Sequence, residues 1–215
     1  MPLKSIPLKI YFTLTDDLNG ILPLPRCTIM LNDTVLEENV ELDNPSNHTP
    51  DRHRLELLKQ RRPADSAIWQ DGKKISIKEY DIEVDDDKEV THTIKVIYES
   101  DMQNVWDLLE DDPNIGGKED YGFYIVDIEI DEISIESLLW DNGVTEAEIC
   151  PESEIETHGF IEYLRNNDMM NEIAVIDGKC IWTSSTTYLN VHKSNYSIEF
   201  KCPFYLWLLE ELSIY

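Results

Sequence analysis

Between residues 99 and 162 the chain carries 20 Asp and Glu residues and a single base, Lys118, a balance of −19 out of a total of −26. So dense a charge cannot be buried, because each carboxylate taken out of water without a partner costs several kcal/mol. Whatever this stretch folds into must keep a polar face in solvent. Apolar periods run through the same residues, so the acids belong to ordered elements and not to a disordered tail. Val126, Ile128 and Ile130 alternate with Asp127, Glu129 and Asp131, the period of a half-buried strand, and Glu132 follows. Carboxylates two residues apart on such a strand stand about 6.6 Å apart on one face. Upstream, Ser100 and Gln103 fit a helical capping box, and Met102, Val105, Trp106 and Leu109 form one apolar stripe. That helix turns Asp107, Glu110 and Asp111 to water, with Asp112 just beyond. Downstream, Ser153 and Glu156 open a second helix with Phe160, Ile161 and Leu164 inward.

The charge of the whole chain is divided unevenly. Residues 1–98 hold 18 acids against 13 bases, whereas 99–215 hold 26 against 5. The division suggests a strand-rich, near-neutral lobe over 1–98 and an acidic α+β lobe over 99–215, although one continuous domain is equally compatible. In the first part, 6–14 alternates as a strand. Pro23 and Pro25 confine 21–31 to an edge or irregular strand. A short basic helix over 51–62 carries Arg52, Arg54, Lys59, Arg61 and Arg62. The runs 74–84 and 89–98 read as a hairpin around Asp85, Asp86 and Asp87. In the second part, Asp177-Gly178 marks a hairpin turn, since both residues tolerate a positive φ. Pro203 introduces a final helix in which Phe204, Leu206, Trp207, Leu208, Leu209 and Leu212 leave almost no polar face. Such a helix requires burial, in its own core or against another chain, so 204–215 is a candidate contact for an oligomer or a complex subunit. The class expected from these elements is α+β, mainly antiparallel sheet with four or five helices and possibly two lobes.

No metal or cofactor is expected. His48, His53, His92, His158 and His192 lack ligand spacing, and Cys27, Cys150, Cys180 and Cys202 contain no Cys-x-x-Cys pair, so reduced, buried thiols are expected. Residues 1–12 hold no long apolar run, and no segment approaches the roughly 18 apolar residues that span a bilayer, so the chain reads as soluble and cytoplasmic.

One constellation has the composition of a nuclease site. Asp177-Gly178 followed by Glu199-Phe200-Lys201-Cys202-Pro203 resembles the pattern of the viral-recombinase exonucleases, Asp-Gly and then Glu-x-Lys-Cys-Pro. The resemblance implies Asp177 and Glu199 as ligands of a divalent metal and Lys201 as the base or electrostatic helper that activates water. The charge around it argues the other way: nucleic-acid binding depends on Lys and Arg meeting phosphates, and −26 repels both DNA and anionic membranes.

The same charge attracts basic proteins. The leading expectation is a non-enzymatic acidic binding protein that presents a rigid negative surface to a basic partner. It would act as a nucleic-acid-mimic inhibitor, of the anti-restriction or anti-CRISPR kind, or as an immunity protein that neutralises a toxin. The expected contacts are Asp107, Glu110, Asp111, Asp112, Asp127, Glu129, Asp131, Glu132 and Glu136, with Trp106, Tyr121, Tyr124 and Trp140 as aromatic anchors. The alternative is a structural subunit of a nucleic-acid-processing or defence complex, joined through 204–215.

Overall fold

A computed structural model describes residues 3–14, 24–42, 75–85, 89–99, 122–156, 158–166, 172–189 and 193–212. The strands are β1 (Lys4–Leu14), β2 (Arg26–Leu31), β3 (Thr34–Glu41), β4 (Ile75–Val84), β5 (Val90–Glu99), β6 (Phe123–Ile130), β7 (Ile133–Ser134), β8 (Gly143–Pro151), β9 (Ile173–Ile176), β10 (Lys179–Ser184), β11 (Tyr188–Leu189) and β12 (Lys193–Cys202). The helices are α1 (Gly159–Asn166) and α2 (Phe204–Leu212), with 3₁₀ turns at Glu136–Leu138 and Glu152–Glu154. The first sheet runs β11-β6-β1-β4, with β7 added to β6. The second runs β3-β2-β5-β12-β8-β10-β9, and both draw strands from either side of residue 98.

The expected α+β class with four or five helices is corrected. The described residues form two antiparallel sheets with only two α-helices. The helices expected over 51–62 and from Ser100 lie outside the described residues. The one expected to open at Ser153 begins instead at Gly159. Ile155 turns into a small core with Ala147, Ile149 and Ile161, so 152–154 closes as a single 3₁₀ turn before the helix starts.

Alternation places one face of each sheet inward. Ile6, Leu8, Ile10 and Phe12 of β1 and Ile128 and Ile130 of β6 join Ile29, Ile94, Val96, Ile198 and Phe200 of the other sheet in one cluster. Phe123 meets Phe12 edge-on at 5.6 Å and Tyr98 edge-on at 5.2 Å, so aromatic edges link the sheets. At one side of this sandwich, Tyr80 of β4 donates to Glu37 Oε2 of β3 at 2.8 Å and joins the two edge strands. At one end α2 inserts Phe204, Trp207 and Leu208 into the shared cluster. Its other side is not buried: Tyr205, Leu206, Leu209 and Leu212 are exposed, Leu209 by 65%.

Consecutive strands β4 and β5 do not pair with each other. β4 pairs with β1, whereas β5 pairs with β2 and β12 in the opposite sheet. The hairpin expected around Asp85, Asp86 and Asp87 is therefore corrected: β4 and β5 belong to different sheets. The Asp177-Gly178 hairpin forms where its dipeptide places it, with φ of 51° and 76° and Ile176 opposite Lys179.

A buried histidine gives the fold a pH dependence. His92 of β5 stacks on Phe200 at 5.1 Å, and the Asn32 side-chain amide contacts its Nδ1 at 3.3 Å. Asn32 sits at the β2–β3 turn with φ of 54° and accepts the Thr93 N–H at 2.9 Å. Its amide N–H₂ therefore faces the ring, and Nδ1 accepts. A second ring proton has no acceptor there, and burial pulls the imidazole below its ordinary value. A base whose folded value is depressed contributes stability that is full above the unfolded value of about 6.5 and is lost as pH falls through the window below it. We expect urea midpoints to drop below about pH 6.5, with a slope of up to about 1.4 kcal/mol per pH unit from this group. The Gln variant (His92→Gln) keeps an acceptor for Asn32 and removes that component. If parent and variant lose stability in parallel between about pH 7 and 5, His92 is not its source.

Candidate functional site

The outer face of the first sheet carries the clearest array of charge. On β4, Glu79, Asp81 and Glu83 are all exposed and alternate with inward Tyr80, Ile82 and Val84. Each faces a β1 residue across the ladder: Glu79 opposite Lys9, Asp81 opposite Pro7, Glu83 opposite Ser5. On the far side of β1, Glu129 of β6 also faces Lys9. One rung thus reads Glu79, Lys9, Glu129, and two further carboxylates continue along β4. Lys9 is the base that β1, β4 and β6 turn to this face, and its Nζ lies 3.8 Å from Glu79. The other half of the face is apolar, where Tyr11, Ile75 and Val126 cluster with Ile77 and Tyr124. Tyr124 stacks on Tyr188 with ring centroids 4.5 Å apart.

The structure distributes the contact residues expected from the sequence unevenly. Asp107, Glu110, Asp111 and Asp112 lie outside the described residues, as do Trp106 and Tyr121. Asp127 is 0% exposed and cannot contact a partner. It faces Tyr11 beside the apolar half of the sheet, and Ser134 of β7 donates its hydroxyl to Asp127 Oδ1 at 2.8 Å. The Glu136 N–H in turn reaches Ser134 Oγ at 3.3 Å, so this carboxylate fastens the turn after β7. Glu129, Asp131, Glu136, Tyr124 and Trp140 are half-buried, and Glu132 is exposed.

Asp131 and Glu132 form the tip of the β6–β7 hairpin with φ of 50° and 67°, a left-handed pair that L side chains adopt at a cost of about 1 kcal/mol or more each. Tertiary bonds hold them there. Asp131 N–H donates to the Pro7 carbonyl at 2.9 Å. Its Oδ2 accepts from Lys4 Nζ at 3.0 Å and from the Tyr205 hydroxyl at 2.9 Å. The Lys4 ammonium first, and the Tyr205 hydroxyl after it, hold the Asp131 carboxyl below the usual carboxylate range. Asp131 thus joins β1, the hairpin and α2, and its charge is already engaged within the chain.

The nuclease-like residues are not assembled. Asp177 caps the β9–β10 hairpin, whose first β10 residue, Lys179, pairs with Pro151, three positions beyond the Glu148–Lys193 pair. Glu199 and Lys201 lie six and eight positions along β12 in the other direction. About nine strand residues, or roughly 30 Å, therefore separate the Asp177 end of the sheet from Glu199. A shared metal requires ligands about 2–2.6 Å from one ion. Glu199 and Lys201 instead line an open groove of about 400 Å³ with Asn142, Trp207 and Glu211, where Asn142 donates to Glu211 at 3.1 Å. No cluster of three or more His, Cys, Asp or Glu with metal-binding geometry occurs among the described residues. No helix among them is long and apolar enough to cross a membrane.

Sequence reasoning passed over Glu79, Asp81 and Glu83. Their alternation with Tyr80, Ile82 and Val84 is visible in the chain, but the partner Glu129 is 46 or more positions away and joins them only through β1. No protein family matches this chain, and no characterised protein or solved structure is detectably similar to it.

Proposed function

We propose that this protein is a non-enzymatic binder that offers the Glu79, Asp81, Glu83 and Glu129 face to a basic protein, as a nucleic-acid-mimic inhibitor or a toxin-neutralising immunity protein. The carboxylate ladder is the observation that supports the reading. Sheet pairing spaces its charges before any partner arrives, so little ordering entropy remains to be lost on binding. Glu79 to Glu83 spans about 13 Å at about 3.3 Å per residue. One nucleic-acid strand places about four phosphates in that length, and a duplex about eight. Four carboxylates less the Lys9 charge leave a net of three, closer to a single strand's count than to a duplex's, which suits a groove built for one phosphate backbone.

Co-purification at low salt supplies the partner, and the quadruple variant Glu79→Gln, Asp81→Asn, Glu83→Gln, Glu129→Gln tests the surface. Solvent-facing charges at an interface contribute about 0.2–1 kcal/mol each, so affinity should fall by roughly 4- to 1,000-fold, and its salt dependence should flatten. A partner that binds the variant as tightly as the parent, or is held equally at about 50 and 500 mM salt, refutes the reading.

The exposed side of α2 favours a second reading, as a subunit of a larger nucleic-acid-processing or defence assembly. Tyr205, Leu206, Leu209 and Leu212 form an apolar stripe about 120° wide at 100° per residue. Removing the helix would expose the core that Phe204, Trp207 and Leu208 fill. Leu206→Ser with Leu209→Ser is the cleaner probe: loss of the partner from a folded variant with an intact acidic face selects the subunit reading.

A further inference from the structure

Cys150 and Cys180, 30 positions apart in the chain, are direct cross-strand partners between β8 and β10. A bulge makes the pairing possible. Cys180 faces Cys150 while Ile181 faces Glu148, so Ile149 is the extra residue. The bulge brings Ile149 and Cys150 into the same small core, and both thiols are buried and free. Antiparallel partners have Cα atoms about 4.5–5.5 Å apart, within the range of about 4.4–6.8 Å that a disulfide spans without backbone movement. The other two cysteines have no such relation: Cys27 faces Tyr98 and Cys202 faces Val90, at opposite ends of β5.

Access to the pair is one-sided. Cys150 lines a cavity of about 310 Å³ with Glu154, Lys193 and His158, whereas Cys180 is 0% exposed behind it. The His158 Nδ1 is buried and has no hydrogen-bond partner among the described residues.

We propose that Cys150 and Cys180 are a peroxide-oxidisable dithiol that closes into a cross-strand disulfide, with Cys150 as the sulfur oxidised first and Cys180 as the resolving sulfur. In the first step the Cys150 sulfur attacks one oxygen of hydrogen peroxide. The O–O bond breaks, and the departing hydroxide takes the thiol proton to leave as water, giving a sulfenic acid. The Cys180 sulfur then attacks Cys150 Sγ, and the sulfenic oxygen leaves as a second water with the Cys180 proton. Two thiols and one peroxide thus become one disulfide and two waters.

Burial, the adjacent Cys180 thiol and the Glu154 charge push the Cys150 thiol up to about 11. Thiolate is therefore scarce at neutral pH, and the rate of closure should rise about 100-fold from about pH 7 to about pH 9. The pair stays reduced under mild conditions and closes under strong oxidant. Closure fastens a loop of about 30 residues that contains α1 and β9, so it should raise Tm by roughly 5–10 °C.

The test exposes the full-length protein to hydrogen peroxide, alkylates the remaining thiols under denaturing conditions and maps the peptides by mass spectrometry. The expected product is a Cys150–Cys180 linked peptide lacking two hydrogens, with Cys27 and Cys202 still alkylated. In Cys180→Ala, dimedone should trap a sulfenic acid on Cys150, and the Tm gain should vanish. Recovery of Cys150 in the parent as free thiol or sulfinic acid, or a disulfide linking any other pair, overturns the proposal. The parent readout needs no variant to fold.

Discussion

Replacing Gly143 by alanine should destabilise the protein by about 3–5 kcal/mol, enough to leave a large unfolded fraction in a domain of ordinary stability. Gly143 begins β8 opposite Ile198 of β12, and it is buried. A Cβ built on it falls inside the contact distance of both the Tyr196 hydroxyl and the Leu139 carbonyl oxygen. Neither obstacle is the loose end of a surface chain. Tyr196 is fully buried, and its hydroxyl donates to that same Leu139 carbonyl at 2.9 Å. The methyl group must therefore displace a core ring and a buried backbone carbonyl at once. Overpacking costs about 1–3 kcal/mol, and the hydrogen bond that breaks leaves a buried acceptor at a similar cost. Urea denaturation measures the loss directly. The double variant Gly143→Ala, Tyr196→Phe removes the hydroxyl but leaves the ring edge and the Leu139 carbonyl in the way of the new methyl group, so its cost should be less than the sum of the single changes yet still large. A Gly143→Ala midpoint within about 1 kcal/mol of the parent would show that the segment from Leu139 to Gly143 shifts freely.

The same neighbourhood shows which parts of the molecule are legible in the chain. Asp177-Gly178 is a local instruction: two adjacent residues that tolerate positive φ specify a turn whatever surrounds them. The start of α2 after Pro203 is local in the same way. What lies beyond a few residues is not written so plainly. β4 and β5 look like a hairpin because they are neighbours in sequence, yet β4 finds β1 about 70 positions back and β5 enters the other sheet. The helix of 204–212 is apolar almost all round, and only the shape of the sandwich end determines that Phe204, Trp207 and Leu208 enter it while Leu206 and Leu209 stay in solvent. Period-two alternation correctly sets Asp127 on the face opposite Ile128 but is silent on what else occupies that face. Tyr11, Ser134 and the apolar half of the sheet bury it. The acidic site is similarly divided. Each strand's alternation is readable, whereas the rung that brings Glu79 and Glu129 to Lys9 is a property of the assembled sheet.

Truncating Phe200 to alanine should cost about 3–5 kcal/mol and lower Tm by roughly 10–15 °C. Phe200 is 0% exposed and central to the aromatic group at the α2 end of the sandwich. It stacks on His92 at 5.1 Å, meets Phe204 edge-on at 6.1 Å and lies 6.4 Å from Trp207. Its removal leaves a cavity between β12, β5 and α2, where a strand of the second sheet, the buried histidine and α2 share contacts. That position separates the effect from an ordinary core deletion. With the ring gone, His92 loses its stacking partner and gains room for water at the unpartnered Nε2, so the penalty for protonating it falls. The variant should therefore be less stable at every pH, yet lose less of its remaining stability between about pH 6.5 and 5 than the parent does. The two readouts are independent, because one measures lost packing and the other the desolvation of a titrating ring. A variant that loses stability in the expected range with an unchanged pH slope would place the source of the His92 shift elsewhere, in the Asn32 turn. Near-parental stability would mean that Phe204 and Trp207 collapse into the space, and that α2 is seated by its own aromatic residues.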